Sequence, residues 1–189
     1  MRVFIAIDLP EEIRSRLATV ERDLRPTTTS ARWVAAESIH VTLKFIGELS
    51  EKRMESLDAA LAGLTWKPFL VTVRGIGFFP GKRSPRVLWA GLQAPTLKGL
   101  AEKIDSRMER FGFEKEKRVF RPHVTLARAR HTRLDAALVN AAAKFEDDDF
   151  GSFTADRCFV YQSTLKSTGS VYTRRKEYLL TPASGVRES

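Results

Sequence analysis

The chain contains the segment His-Val-Thr-Leu twice, at residues 40–43 and at residues 123–126, although it has only three histidines. An imidazole has an ordinary pKa of about 6.5, so near neutral pH one such ring can accept a proton while another donates one. A threonine hydroxyl can donate a hydrogen bond to a phosphate oxygen. The pairs His40 with Thr42 and His123 with Thr125 are therefore candidate residues for acid–base chemistry at a phosphate, and an internal repeat explains the two copies.

The two-residue period of a β-strand determines which of these side chains face together. Successive side chains point to opposite faces, so His40 and Thr42 share one face while the Val and Leu of the segment pack on the other. The same holds for His123 and Thr125. If the two strands meet, one cleft receives two imidazoles and two hydroxyls. By the same counting Lys44 lies on the His40 face. We therefore consider it a further, weaker candidate for binding phosphate.

The composition favours an anionic partner. The 32 Lys and Arg residues less the 23 Asp and Glu residues give a net charge of +9, so nucleic acid is the first expectation and a membrane surface the second. The single cysteine, Cys158, excludes an intrachain disulfide and favours a reducing, intracellular compartment. The apolar stretch at residues 3–7 is too short for a secretory signal or a membrane span, and we read it as a first core strand.

The residues around the two segments do not follow the patterns of metal sites. Neither segment is accompanied by the His-x-x-x-His, Cys or carboxylate spacing that zinc sites use. The acidic run at residues 146–149 reads as an exposed charged turn, and His131 lies outside the repeated pattern. We therefore predict catalysis without a metal or another cofactor.

Hydrophobic periodicity predicts an α+β fold. The predicted strands cover residues 3–7, 32–34, 40–46, 69–79, 86–92, 123–126, 152–162 and 170–180, and the predicted helices cover residues 11–24, 51–64, 97–108 and 133–144. Several strands follow one another through short turns, which favours antiparallel sheets with outer helices over a doubly wound parallel sheet. Strands and helices recur around each His-Val-Thr-Leu segment, so we expect two related lobes.

Longer phrases around the segments resemble a known family. They are Arg-Trp-Val at residues 32–34, Ser-Ile-His-Val-Thr-Leu-Lys-Phe-Ile-Gly-Glu at residues 38–48 and Phe-Arg-Pro-His-Val-Thr-Leu-Ala-Arg at residues 120–128. The chain resembles the two-histidine phosphoesterase superfamily, and within it the RNA 2′,3′-cyclic phosphodiesterases, also known as 2′-5′ RNA ligases. The resemblance extends almost from end to end.

The resemblance implies a single bilobal phosphoesterase domain over residues 1–189, with pseudo-twofold symmetry and a V-shaped central cleft. It implies opening of a terminal 2′,3′-cyclic phosphate of RNA to a 2′-phosphate, together with reversible 2′-5′ ligation. In this reaction His40 is expected to be the proton donor and His123 the proton acceptor. Arg128 is expected near the phosphate, although strict alternation puts it on the face opposite His123, so that a bulge or the strand end must redirect it.

Other functions remain open at this point. The same cleft could take a small cyclic nucleotide or an ADP-ribose cyclic phosphate, and the chain could instead be a non-catalytic module that binds RNA ends. For the leading hypothesis the partners are RNA ends that bear a 2′,3′-cyclic phosphate, tRNA fragments among them. We expect a cytoplasmic monomer that does not associate with membranes.

Overall fold

The computed structural model describes residues 1–166 and 169–181, which form helices and an antiparallel sheet. The strands are β1 Arg2–Asp8, β2 Ala31–Trp33, β3 His40–Glu48, β4 Phe69–Phe79, β5 Val87–Gln93, β6 His123–Ala129, β7 Asp149–Ala155, β8 Arg157–Lys166 and β9 Gly169–Leu179. The α-helices are α1 Glu11–Leu24, α2 Glu51–Ala62, α3 Pro95–Arg110 and α4 Ala136–Ala142. This arrangement confirms the predicted α+β class.

The helices pack on the sheet through the apolar stripes that the sequence predicts. Helix α1 begins after Pro10, whose fixed φ suits the start of a helix. Its buried side chains recur at helical spacing and are Ile13, Leu17, Val20 and Leu24. Helix α3 buries Leu97, Leu100, Ala101, Ile104 and Met108. These stripes join Val41 and Val124 in the main hydrophobic core, so the helices cover the face of β3 and β6 opposite to the histidines.

The strand order consists of two matching halves. The order is β7-β4-β5-β6-β3-β1-β8-β9, with β2 paired to β6 beside this path. One half is β3-β1-β8-β9 and the other is β6-β5-β4-β7, and each has a His-Val-Thr-Leu strand as its innermost member. The two halves correspond to the two expected lobes, and they join into one continuous sheet because their innermost strands pair with each other at Val41 and Val124.

The predicted strand over residues 152–162 is wrong in one respect, because it is two strands. Strand β7 pairs with β4 in one half, whereas β8 pairs with β1 in the other half. Only Asp156 separates β7 from β8, so the sheet must curl until strands from its two ends come close together. Apolar residues continue on both sides of Asp156, and they carry no information about a change of partner.

Within residues 1–166 and 169–181, no helix combines the length and the apolar character needed to cross a bilayer.

Candidate active site

The two His-x-Thr pairs line one small pocket at the centre of the sheet. The pocket has a volume of about 60 Å³. Its lining residues are Val34, Ser38, His40, Thr42, Phe45, His123, Thr125, Arg128 and Tyr172. A space of this size fits a phosphate group and little more, so any phosphate here would be surrounded by two imidazoles, two hydroxyls and a guanidinium.

The seam between β3 and β6 brings the pairs together. The two strands are antiparallel, and Val41 is the partner of Val124. In that register His40 lies toward Thr125, and Thr42 lies toward His123, since the sum of paired residue numbers is constant along an antiparallel pair. Both valine side chains are buried, so the neighbouring polar side chains point to the opposite face of the sheet. The pocket is therefore assembled with approximate twofold symmetry.

The same backbone hydrogen bond orients each imidazole. In His40 the Nδ1 atom lies 2.7 Å from the carbonyl oxygen of Ser38, and in His123 it lies 2.7 Å from the carbonyl oxygen of Arg121. A carbonyl oxygen only accepts, so Nδ1 donates in both rings. This fixes the tautomer and leaves Nε2 as the atom that gains or loses a proton at the phosphate.

A β-bulge in β3 changes which side chains reach the pocket. Thr42 pairs with Ala6 but Lys44 pairs with Ile5, so Leu43 is an extra residue on β3. Beyond the bulge the alternation is reversed. Phe45 therefore lies on the cleft face, where it is 55% exposed and lines the pocket.

The placement of Lys44 on the His40 face is wrong, because the bulge turns its side chain into the protein. That side chain is 2% exposed and forms an ion pair with Asp105 of α3. Its Nζ also donates to the carbonyl oxygen of Glu114 over 2.7 Å. With its ammonium occupied in this way, Lys44 ties β3 to α3 and is not retained as a phosphate ligand.

An equivalent bulge in β6 brings Arg128 into the pocket. Thr125 pairs with Trp89 and Ala127 pairs with Leu88, so Leu126 is the extra residue. Arg128, which strict alternation would place away from His123, consequently lines the same pocket. It lies five residues after His123, as Phe45 lies five residues after His40.

The surroundings of His40 are aromatic. Phe4 is 3% exposed and stacks on the imidazole with ring centroids 4.7 Å apart. Tyr161 also stacks on Phe4 at 5.4 Å and lies 6.2 Å from the His40 ring, and Tyr172 meets the edge of the His40 ring at 5.2 Å. The ring of His123 has a T-shaped contact with Phe79 at 4.9 Å. These contacts restrict the orientation of both imidazoles before a ligand arrives.

One carboxylate distinguishes the two halves. Asp8 is the cross-strand partner of His40, whereas the equivalent partner of His123 is Gly91. Asp8 accepts a hydrogen bond of 2.6 Å from the Tyr161 hydroxyl and forms an ion pair with Arg174. Burial and the bond to Asp8 raise the pKa of Tyr161 to about 12, so the phenol remains a donor at neutral pH.

The pKa values of both catalytic candidates are lowered from the ordinary histidine value. Burial is the main cause for His40 and for His123, and the charge of Arg128 acts in the same direction on both. The charge of Asp8 opposes this effect at His40. Near neutral pH both rings thus favour the neutral form, and only His40 has a nearby carboxylate that favours its protonated form.

Two larger cavities adjoin the pocket. The cavity on the His123 side has a volume of about 670 Å³, and its lining includes Phe79, Arg86, Arg118 and Arg121. The cavity on the His40 side has a volume of about 290 Å³ and includes Asp8, Glu37, Tyr161 and Tyr172. The first is cationic and within the usual size of a ligand site, and the second carries two carboxylates.

The described part of the chain contains no cluster of three or more His, Cys, Asp or Glu side chains with the arrangement of a metal site. The acidic run at residues 146–149 forms no such cluster.

Sequence reasoning missed Asp8, Phe45 and Tyr172. Asp8 closes an apolar strand and gives no local signal, since its importance comes from pairing with His40. Phe45 carries a signal in the repeat itself, because it occupies the position that Arg128 occupies after the second histidine. Tyr172 reaches the site only because β9 follows β8 across the sheet.

This fold and this pair of converging His-x-Thr motifs define a two-histidine phosphoesterase. The family model described as "LigT like Phosphoesterase" matches residues 7–89 and 92–172, and each range contains one motif. The chain belongs to this family.

Curated relatives and solved structures are similar over nearly the whole chain. The RNA 2′,3′-cyclic phosphodiesterase of Methanocaldococcus jannaschii is 32% identical over 94% of this chain and 100% of its own length. A crystal structure from Thermus thermophilus has a TM-score of 0.83 at 28% identity, covering 96% of this chain and 99% of that one. The crystal structure of E. coli LigT with 3′-AMP has a TM-score of 0.76 at 29% identity, covering 95% and 98%.

The buried contact of Lys44 predicts a loss of stability when the lysine is replaced. Lys44→Met leaves the Asp105 carboxylate without its buried partner, which should lower the free energy of unfolding by about 3–5 kcal/mol. Urea denaturation measures this change. The double variant Lys44→Met with Asp105→Leu should recover part of it, and Lys52→Met on the exposed side of α2 is the control. A weaker affinity for phosphate at unchanged stability would contradict the structural role.

Proposed function

We propose that this protein is an RNA 2′,3′-cyclic phosphodiesterase that opens the cyclic phosphate at an RNA end to a 2′-phosphate. The observation that carries the proposal is the single pocket shared by both His-x-Thr pairs and Arg128. The names of full-length relatives support the choice of substrate. The net charge of +9 suits a polyanion.

In the proposed reaction the two imidazoles act on opposite sides of the phosphorus atom. Nε2 of neutral His123 takes a proton from water as the water oxygen bonds to phosphorus. The bond from phosphorus to the 3′ oxygen breaks, and Nε2 of protonated His40 gives its proton to that oxygen. The product carries a 2′-phosphate and a 3′-hydroxyl. A 5′-hydroxyl RNA in place of water gives 2′-5′ ligation by the same steps.

The assignment of His40 as the acid rests on the difference between the two halves. The acid must be protonated before the reaction, and the carboxylate of Asp8 favours the imidazolium at His40. The corresponding position opposite His123 is Gly91, which has no charge. An otherwise symmetrical site thereby acquires a direction for proton transfer.

The remaining polar groups hold the phosphate. The Thr42 and Thr125 hydroxyls donate to the non-bridging oxygens, and the guanidinium of Arg128 stabilises the negative charge that develops on them. These groups are fixed on strands, so they need no rearrangement when the charge appears.

We further propose that residues 1–189 act as one bilobal domain, as a monomer in the cytoplasm, on RNA ends that include tRNA fragments. The buried, unpaired thiol of Cys158 is compatible with a reducing compartment.

The decisive experiment is incubation of the purified protein with an oligoribonucleotide that ends in a 2′,3′-cyclic phosphate, in excess EDTA. We expect a 2′-phosphate product, which phosphatase treatment and mass spectrometry identify. Binding without turnover would favour a non-catalytic module. Turnover that requires added divalent ions would contradict the proposed metal-independent mechanism.

Substitution of either catalytic histidine should abolish most turnover without unfolding the protein. His40→Ala and His123→Ala each remove a proton-transfer group, so we expect kcat to fall about 10²-fold or more. Circular dichroism checks the fold, and His131→Ala at an exposed site is the matched control. Activity close to wild type in either variant would exclude the assignment.

The lowered pKa values predict an acidic optimum for kcat/KM. His40 must be protonated, and its pKa is lowered. As the pH rises, kcat/KM should therefore begin to fall at a pH below the ordinary histidine pKa of 6.5. His123 must be neutral, and its lowered pKa likewise moves the acidic limb of the profile to a pH below the ordinary histidine value. Asp8→Asn removes the charge that favours protonated His40 and should move the alkaline limb to lower pH. Movement of the acidic limb instead would reverse the two roles.

A further inference from the structure

Arg32 is a second arginine on the cleft face, directly opposite Arg128. We propose that Arg32 binds a second phosphate of the substrate, next to the phosphate that reacts, so that the site selects RNA ends over cyclic mononucleotides that have no other phosphate. This inference rests on the proposed function and specifies its substrate class.

The register of β2 and β6 places the two guanidinium groups on one face. Arg32 pairs with Arg128, between the pairs Ala31 with Ala129 and Trp33 with Ala127. Direct cross-strand partners point to the same side of a sheet. The alanine and tryptophan pairs pack against the core, so the arginine pair lies on the other side, which is the side of the pocket.

Two like charges in this position repel each other and attract an anion. Directly opposed like charges destabilise a sheet, and in residues 1–166 and 169–181 neither Arg32 nor Arg128 has a salt bridge or a side-chain hydrogen bond. Two other arginines near the cleft are neutralised within the protein, Arg118 by Glu116 and Arg174 by Asp8. The Arg32–Arg128 pair therefore forms a cationic site with no internal partner in the described structure.

The charge of the substrate decides what fills this site. A cyclic phosphodiester carries one negative charge, which Arg128 alone can match within the pocket. Arg32 then remains available for another anion, and the closest one on an RNA strand is the phosphate of the neighbouring nucleotide. The cavity on the His40 side is unsuitable for that phosphate, because Asp8 and Glu37 line it. With that cavity excluded, Arg32 is the cation that lies directly opposite Arg128 on the cleft face.

The test compares Arg32→Ala with wild type on three substrates that share one terminal base. These are a 2′,3′-cyclic mononucleotide, the same nucleotide with a 5′-phosphate, and an oligoribonucleotide with a 2′,3′-cyclic phosphate end. An arginine–phosphate contact is charge-assisted, so its loss should lower kcat/KM about tenfold on the oligonucleotide relative to the plain mononucleotide. The loss should appear mainly in KM. The 5′-phosphorylated mononucleotide shows whether the nearest phosphate is sufficient for the contact.

Salt dependence and a conservative variant give independent readouts. Loss of one phosphate contact should reduce the slope of log KM against log salt by about 0.7 for a single strand. Arg32→Lys keeps the charge but loses the planar fork, so it should restore only part of the selectivity.

Arg110→Ala at the exposed end of α3 is the control and should leave the ratio between substrates unchanged. Removal of Arg32 should not lower the melting temperature, since it relieves repulsion.

The outcomes separate this inference from the proposed function. If wild type hydrolyses all three substrates and Arg32→Ala affects them equally, the second phosphate contact is overturned while the phosphodiesterase activity stands. If wild type hydrolyses none of them, the proposed function fails first.

Discussion

One backbone pairing, between Val41 and Val124, determines the site. It is the point at which the two halves of the sheet meet, and each valine lies between a histidine and a threonine. Because both valine side chains are buried, the flanking polar groups are forced onto the opposite face and into one pocket. A shift of this register by one residue would put the imidazoles into the core, where an uncompensated polar group is costly. The hydrophobic effect acting on two apolar side chains thus positions the two imidazoles.

The bulges after the two segments are the second constraint. Each inserts a leucine, Leu43 or Leu126, and so reverses the alternation just beyond the threonine. In one half the bulge places Phe45, and not Lys44, at the pocket. In the other half it places Arg128 there. Bulges at equivalent positions are what a duplicated unit would retain, and they give each half one further side chain in the site.

The twofold arrangement is useful because it is incomplete. Two identical halves would give two histidines with the same proton affinity, which is poorly suited to a reaction that needs one acid and one base. Asp8 against Gly91 beside the histidines, and Phe45 against Arg128 in the pocket, are two such differences between the halves. The first difference biases proton affinity, and the second puts the positive charge on one side of the pocket.

The sequence alone determined the helix stripes, most strands and the repeated His-x-Thr pairs, because periodicity and residue type are local properties. It also indicated that Arg128 would need a bulge to reach the phosphate. Tertiary structure decided the rest. The misplacement of Lys44, the division of residues 152–162 between two strands, and the contribution of Asp8 all depend on which strand lies beside which. Pairing register and bulges arise from contacts between distant parts of the chain, and no local pattern records them.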